Sequence, residues 1–362
     1  MKSANSSYIS RLDHIRFFAA FLVVYVHTYA ASGGLNYTGE RNILERFMLS
    51  GNTGVTLFLV LSGFIFTIIT DAGNKNIDYR IFVFNRIKRV FPLMVFVCII
   101  SMSMYRETTT FNDMLSLFFF SNLQTSPIFK SFGQTWTIAV ETQFYLILPF
   151  LLGFMRKRGV NYILMLSIFW VAIRIIIVMT YKGTLGESQG VNAYYYLTMI
   201  GRFDQLLVGM VFGWLYVNHK EIFSRKIFLI GALIISFFGI TFITESGMWA
   251  TFHPLQLSLS YLEAIIWGVL IISYASCNIH IPMILDRSLS WLGEISYSQY
   301  ILHILILDLF TTNIGFLKIT QNISLNATLN VFIIYPIIIV FSKASFELIE
   351  KPFLEMRKKY TK

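Results

Sequence analysis

The chain reads as an all-α, polytopic integral membrane protein. It is expected to form a single bundle of about ten transmembrane helices within residues 1–362, with both termini cytoplasmic. Three observations lead to this reading. Only 13% of the 362 residues are charged, against roughly 25% in an ordinary soluble domain. Hydrophobic residues make up 56% and mean hydropathy is +0.64, more apolar surface than a soluble fold of this size hides and the opposite of a disordered chain. Apolar runs approaching the roughly 20 residues that cross a hydrocarbon core of about 30 Å recur along the whole chain. A cytosolic globular enzyme is excluded first.

In chain order, spans are expected near 14–33, 53–71, 90–105, 134–155, 160–181, 194–217, 226–244, 255–276, 289–313 and 327–349. The first is a retained helix, since its apolar run is long and no small-residue cleavage site follows it. The third is short. The segment 111–121 is too short to span and reads as re-entrant or interfacial. Pro149 and Pro336 fall inside spans, where neighbouring helices re-satisfy the backbone groups a proline frees. Cys98 and Cys277 lie in or beside apolar runs with no metal-ligand spacing and read as buried, inert thiols; no metal site is expected.

Lysine and arginine set the orientation. With the N-terminus inside, 19 cations fall in cytoplasmic segments and 6 in outer loops, while Arg16, Arg174, Arg202 and Lys343 lie within or at the ends of spans. The net charge of +10 is therefore a topological signal and no sign of nucleic acid. An ionisable group at membrane depth costs about 2.5–3.5 kcal/mol on insertion scales, so each needs a reason. Arg16 sits at the cytoplasmic start of the first span, and His27 follows eleven residues later, about 16 Å further out at 1.5 Å per residue. Glu141, Arg174, Arg202, Asp204 and His303 come from four other spans and fall in the same middle-to-outer layer. Either these groups pair to hold helices together or they line a polar cavity; two histidines at one depth favour the cavity. His27 is the leading candidate for a general base near neutral pH. Arg86 and Arg89, three apart beside Lys88, share one face of a helix, a geometry suited to phosphate, so a phosphate-bearing donor entering from the cytoplasm is expected.

These residues also form an ordered series. Leu12-Asp13-His14-Ile15-Arg16, Ala19-Ala20, Val23-Val24 and His27 resemble the first helix of the membrane-bound acyltransferase family 3. Gly54 through Ser62-Gly63-Phe64 resembles its second helix, and Arg86 and Arg89 followed by Pro92 its basic motif. Thr135-Trp136 through Glu141 to Phe144-Tyr145 is similar to its Trp-to-Glu-to-Phe-Tyr signature. Gly201-Arg202-Phe203-Asp204, Ile295-Ser296-Tyr297-Ser298 through Tyr300 to His303, and Glu350-Lys351-Pro352 are similar to its later blocks. The resemblance runs from about residue 12 to 352.

It implies a transmembrane O-acetyltransferase of the surface-polysaccharide type, in the bacterial inner membrane. Such an enzyme takes acetyl from acetyl-CoA to a hydroxyl of a saccharide or lipid-linked saccharide, such as an O-antigen (lipopolysaccharide) or capsule. By position, His27 is similar to the family's essential histidine and Arg16 to the arginine accompanying it. Arg86 and Arg89 match the donor-associated pair, and Glu141 and Glu350 match recurrent acidic positions. His27 would act as base or carry the acetyl group itself. Glu141 is expected to orient His27 or raise its basicity, and Arg174, Arg202 or His303 to contact the acceptor or stabilise an oxyanion. His14 departs from the glycine usual in the family. No fused soluble transferase domain is expected behind the last span, so transfer would be completed here or by a partner transferase or homo-oligomer. The alternative is an exporter of a lipid-linked saccharide using the same polar cavity; no internal repeat of the transporter kind is visible.

Overall fold

A computed structural model describes residues 8–104, 133–180, 197–246 and 254–361. The helices are α1 (Ser10–Ala31), α2 (Ile43–Leu49), α3 (Thr53–Ile69), α4 (Tyr79–Met104), α5 (Thr135–Arg158), α6 (Val160–Thr180), α7 (Met199–His219), α8 (Lys226–Glu245), α9 (Pro254–Ser276), α10 (Met283–Glu294), α11 (Ser296–Leu309), α12 (Ile323–Ser345) and the short α13 (Lys351–Glu355). Among the described residues there is no strand, only one isolated bridge between Ile77 and Thr361. The expected all-α membrane bundle is what forms. The segment 111–121 lies outside the described residues.

Seven of the described helices are long and apolar enough to cross a membrane, or eight if α2 and α3, bent by 62° at a short break, count as one span. Helix α7, which carries Arg202 and Asp204, and the broken pair α10–α11 occupy the other expected places without meeting that measure. The ninth span therefore differs from the unbroken 289–313 that hydropathy suggests: the chain leaves helical geometry at Ile295 (φ −91°, ψ 7°) and resumes at Ser296. The third span is longer than expected, because α4 runs for 26 residues from Tyr79 and carries Arg86, Lys88 and Arg89 on its own first turns.

Local chemistry explains several boundaries. Asn42 and Asn322 cap α2 and α12 by accepting from the backbone amides of Glu45 and Leu325 at 2.9 and 3.0 Å. Gly159, at φ +79°, ends α5 and turns the chain into α6. Helix α3 packs most extensively on α7, because glycines remove the side chains between them: a Cβ at Gly63 would strike the Leu206 carbonyl, and one at Gly209 the Val60 carbonyl. Around this pair α1 contacts α3, α10, α11 and α12, so it is the axial helix of the bundle. Arg11 fastens its start to the end of α9 by donating to the carbonyls of Tyr274 (3.0 Å), Cys277 and Ile279 (2.9 Å). His14 is buried. One ring nitrogen meets the Tyr274 hydroxyl at 2.8 Å and the other the Asp286 carbonyl at 3.1 Å, tying α1 to α9 and α10. Cys98 and Cys277 are free and buried.

Candidate functional site

Helices α1 and α11 pack together and bring His27 against His303. His27 Nδ1 lies 3.0 Å from His303 Nε2, and the rings stack with centroids 5.1 Å apart at 24°. His303 Nδ1 lies 2.7 Å from the Tyr300 carbonyl oxygen one turn back. A carbonyl only accepts, so His303 Nδ1 carries the proton and its neutral Nε2 is an acceptor. His27 Nδ1–H then donates to it, which leaves a lone pair on His27 Nε2. His303 is fully buried, while His27 is half-buried. The inner ring thus fixes the tautomer of the outer one. Helix α11 is in turn locked to the start of α5: Gln134 Nε2 donates to the Ile301 carbonyl at 2.7 Å and Thr137 Oγ1 to the Tyr300 hydroxyl at 3.0 Å.

On the side of the bundle where residue 8 and the C-terminal tail lie, a cavity of about 400 Å³ runs inward to Thr137 and Tyr300. Its walls come from α1, α3, α4, α5, α10, α11, α13 and the tail, and Arg16, Arg86, Arg89 and Glu141 all line it. Arg86 lies over the rings of Phe66, Phe82 and Tyr145 at 5.0, 5.6 and 5.7 Å, and its buried Nε has no hydrogen-bond partner. Arg89 lies 5.9 Å over Tyr297. Arg16 pairs with Asp13 at 2.5 Å and sits with this cationic group rather than beside His27, one consequence of the eleven residues of helix between them. Two serines of the recognised motifs hold carboxylates here: Ser62 donates to Glu141, and Ser298 to Glu350. Glu141 thus accepts from Ser62, and the ring that His27 meets is His303. Lys88, two residues from Arg86 and so on another face of α4, is absent from the lining; its ammonium donates to the Met356 carbonyl at 2.9 Å.

A second polar group occupies the interior around α7. Arg174 and Asp204 form an ion pair at 2.6 Å, with side chains 1% and 0% exposed. Arg174 also donates to the Gly201 carbonyl at 2.9 Å and to Ser260 at 3.2 Å. Arg202 donates to Thr56 and to Gln205 Oε1, each at 3.3 Å, and lies 5.3 Å over Trp136. These contacts tie α3, α6, α7 and α9 together. The group contains one residue that the sequence reading passed over: Glu263, 1% exposed, accepts from Thr53, whose hydroxyl also receives the Trp267 indole N–H at 2.7 Å. A lone carboxylate in the apolar run of α9 was the available signal. Arg357, which also lines the cavity, had no such signal, because a basic tail after a last span reads as topology. Among the described residues no three His, Cys, Asp or Glu side chains group as metal ligands.

A family described as an acyltransferase domain matches residues 9–344. Over 95% of its length the chain is 26% identical to the peptidoglycan O-acetyltransferase OatA of Listeria monocytogenes, covering 56% of that protein. It is 32% identical over 42% of its length to YrhL of Bacillus subtilis, whose name assigns it provisionally to the same activity, covering 25% of that protein. It is 23% identical to an acetyltransferase, also provisionally named, of Acidianus two-tailed virus, with 84% of each chain covered. The chain thus spans about half the length of the first of these relatives. No solved structure matches it.

Proposed function

The chain belongs to this acyltransferase family, and on that footing we propose that it moves an acetyl group from cytoplasmic acetyl-CoA to a hydroxyl of a cell-envelope glycan, with His27 as the base. The observation that carries this reading is the His27–His303 pair, whose outer ring presents a lone pair held in one tautomer. The basic end of the cavity takes the phosphates, at Arg86, Arg89 and Arg16. From that level His27 is about 16 Å along α1, within the roughly 20 Å reach of an extended pantetheine arm.

In the transfer, His27 Nε2 removes the proton of the acceptor hydroxyl as its oxygen attacks the thioester carbonyl. The C–S bond breaks, and the departing thiolate takes that proton from the imidazolium, so the balance closes on the ester and CoA thiol. His303 contributes by accepting the Nδ1–H that grows more acidic when His27 is charged. Glu141 and Glu350, fixed by Ser62 and Ser298, set the electrostatics of the arm's channel. The relatives named for peptidoglycan make that polymer an acceptor to test beside surface polysaccharide, and a multi-pass enzyme of this kind belongs in the inner membrane of a bacterium.

The test is acetyl transfer from labelled acetyl-CoA in proteoliposomes supplied with each glycan. His27→Ala is expected to lose about 10²–10⁴-fold in rate. Full transfer by that variant would overturn the assignment, and movement of the glycan without label on it would favour the exporter.

A further inference from the structure

Beyond α13 the chain does not trail away. Residues 356–361 fold back along the first half of α4 and are fastened there at successive positions. Lys88 Nζ donates to the Met356 carbonyl at 2.9 Å. Asn85, itself 2% exposed, uses both ends of its amide: Nδ2 donates to the Lys358 carbonyl at 2.6 Å, and Oδ1 accepts the Lys358 amide at 3.2 Å. The Asp78 amide donates to the Tyr360 carbonyl at 2.8 Å, and Ile77 bridges to Thr361. The Tyr360 ring is 2% exposed, edge-on to Phe82 at 5.2 Å. Six residues thus form a strap pinned on both sides of Arg357, by groups of the same helix that carries Arg86 and Arg89.

The pinning has a consequence for the cavity. Arg357 lines it together with Arg16, Arg86 and Arg89, and its Nε donates to the Leu354 carbonyl at 3.0 Å, which fixes the plane of the fork. Four guanidiniums from three separate chain segments converge on one space, where Asp13, Glu141, Glu294 and Glu355 supply the opposing charge; Asp13 and Glu141 are already engaged by Arg16 and Ser62. Burial, and then the neighbouring charges of Arg89, Arg86 and Arg16, push Arg357 down to about 10, a crowding of like charge that a multiply charged anion relieves.

We propose that the strap of residues 356–361 presents Arg357 to the donor site, where it is one of the phosphate-binding residues, holding a donor phosphate together with Arg86 and Arg89. This rests on the reading of the cavity as the acetyl-CoA site. Preorganisation is the physical point: a guanidinium held by its own backbone neighbours loses little freedom when it forms two parallel hydrogen bonds to a phosphate.

The experiment measures CoA binding by calorimetry to the full chain in phosphatidylcholine nanodiscs, so that no anionic headgroup competes for the site. Arg357→Gln is expected to weaken binding at least tenfold. Arg357→Lys, which keeps the charge and loses the fork, is expected to fall between, and Lys359→Gln, an exposed cation on the same strap outside the cavity, to bind as wild type. Asn85→Ala, which frees the strap and leaves Arg357 in place, is expected to weaken binding as well. Wild-type affinity in both Arg357→Gln and Asn85→Ala would overturn the strap's role and leave the donor site standing. A wild-type protein that binds no CoA while transferring acetyl from another donor would overturn the donor reading, and this proposal with it.

Discussion

His27 and His303 are joined by one hydrogen bond, and the direction of that bond follows from a carbonyl that only accepts. Removing the inner ring should therefore damage the chemistry without touching donor binding. His303→Ala is expected to lower kcat by between about 10- and 10⁴-fold, the range set by loss of a histidine's orienting partner, with CoA affinity unchanged; equal losses in both would mean a structural collapse instead. The Arg174–Asp204 pair supports a different expectation. Both side chains are almost fully buried, so Asp204→Ala leaves an uncompensated guanidinium and should cost about 3–5 kcal/mol, read as reduced thermal stability in detergent. The double change Arg174→Leu with Asp204→Leu should recover much of that loss. The depth of the two histidines was legible from helical rise alone, since eleven residues from Arg16 is a distance. Their contact was not, because depth says nothing about which faces of two helices meet. For the same reason Glu141 was expected to orient His27, a place that His303 fills while Ser62 holds the carboxylate.

Hydropathy locates helices well where the apolar run and the helix coincide, as in α5, α8 and α9, and less well where charge enters the helix itself. The run in α4 begins after Arg89, yet the helix begins at Tyr79, because its cations are received by the cavity and the strap instead of terminating the element. The ninth span reads as continuous although it breaks at Ile295; no proline or helix-breaking run marks the place. The most contact-rich junction, α3 on α7, depends on glycine at both surfaces. Gly209→Ala puts a methyl group onto the Val60 carbonyl, a backbone atom that cannot step aside, and over-packing of this kind costs typically about 1–3 kcal/mol. Gly153→Ala on α5 meets nothing within 4 Å and serves as the control. The expected result is a lower melting temperature and lower yield for the first variant and no loss for the second. Equal stability of both would mean that α3 and α7 are not in the register described.

The cavity gives the bundle two unlike ends. The cavity opens at the end of the bundle where residue 8 and the strap lie, and the bias of 19 cations to 6 predicts that this end faces the cytoplasm. The proposed chemistry needs the same answer independently, since acetyl-CoA is a cytoplasmic metabolite and its phosphates do not cross the bilayer unaided. Two exposed lysines report on it. Lys220 follows α7 at the end shared with the cavity mouth, and Lys318 lies between α11 and α12 at the other. The native thiols Cys98 and Cys277 are 3% and 0% exposed, so single cysteines introduced at these sites are read against a silent background. In intact spheroplasts a membrane-impermeant maleimide is expected to label Lys318→Cys, and to label Lys220→Cys only after permeabilisation. The opposite pattern would turn the bundle over. It would put the guanidinium-lined mouth on the outer face, where the anion recognised there would have to be something other than a cytoplasmic thioester donor, while leaving the His27–His303 pair and its chemistry as they stand.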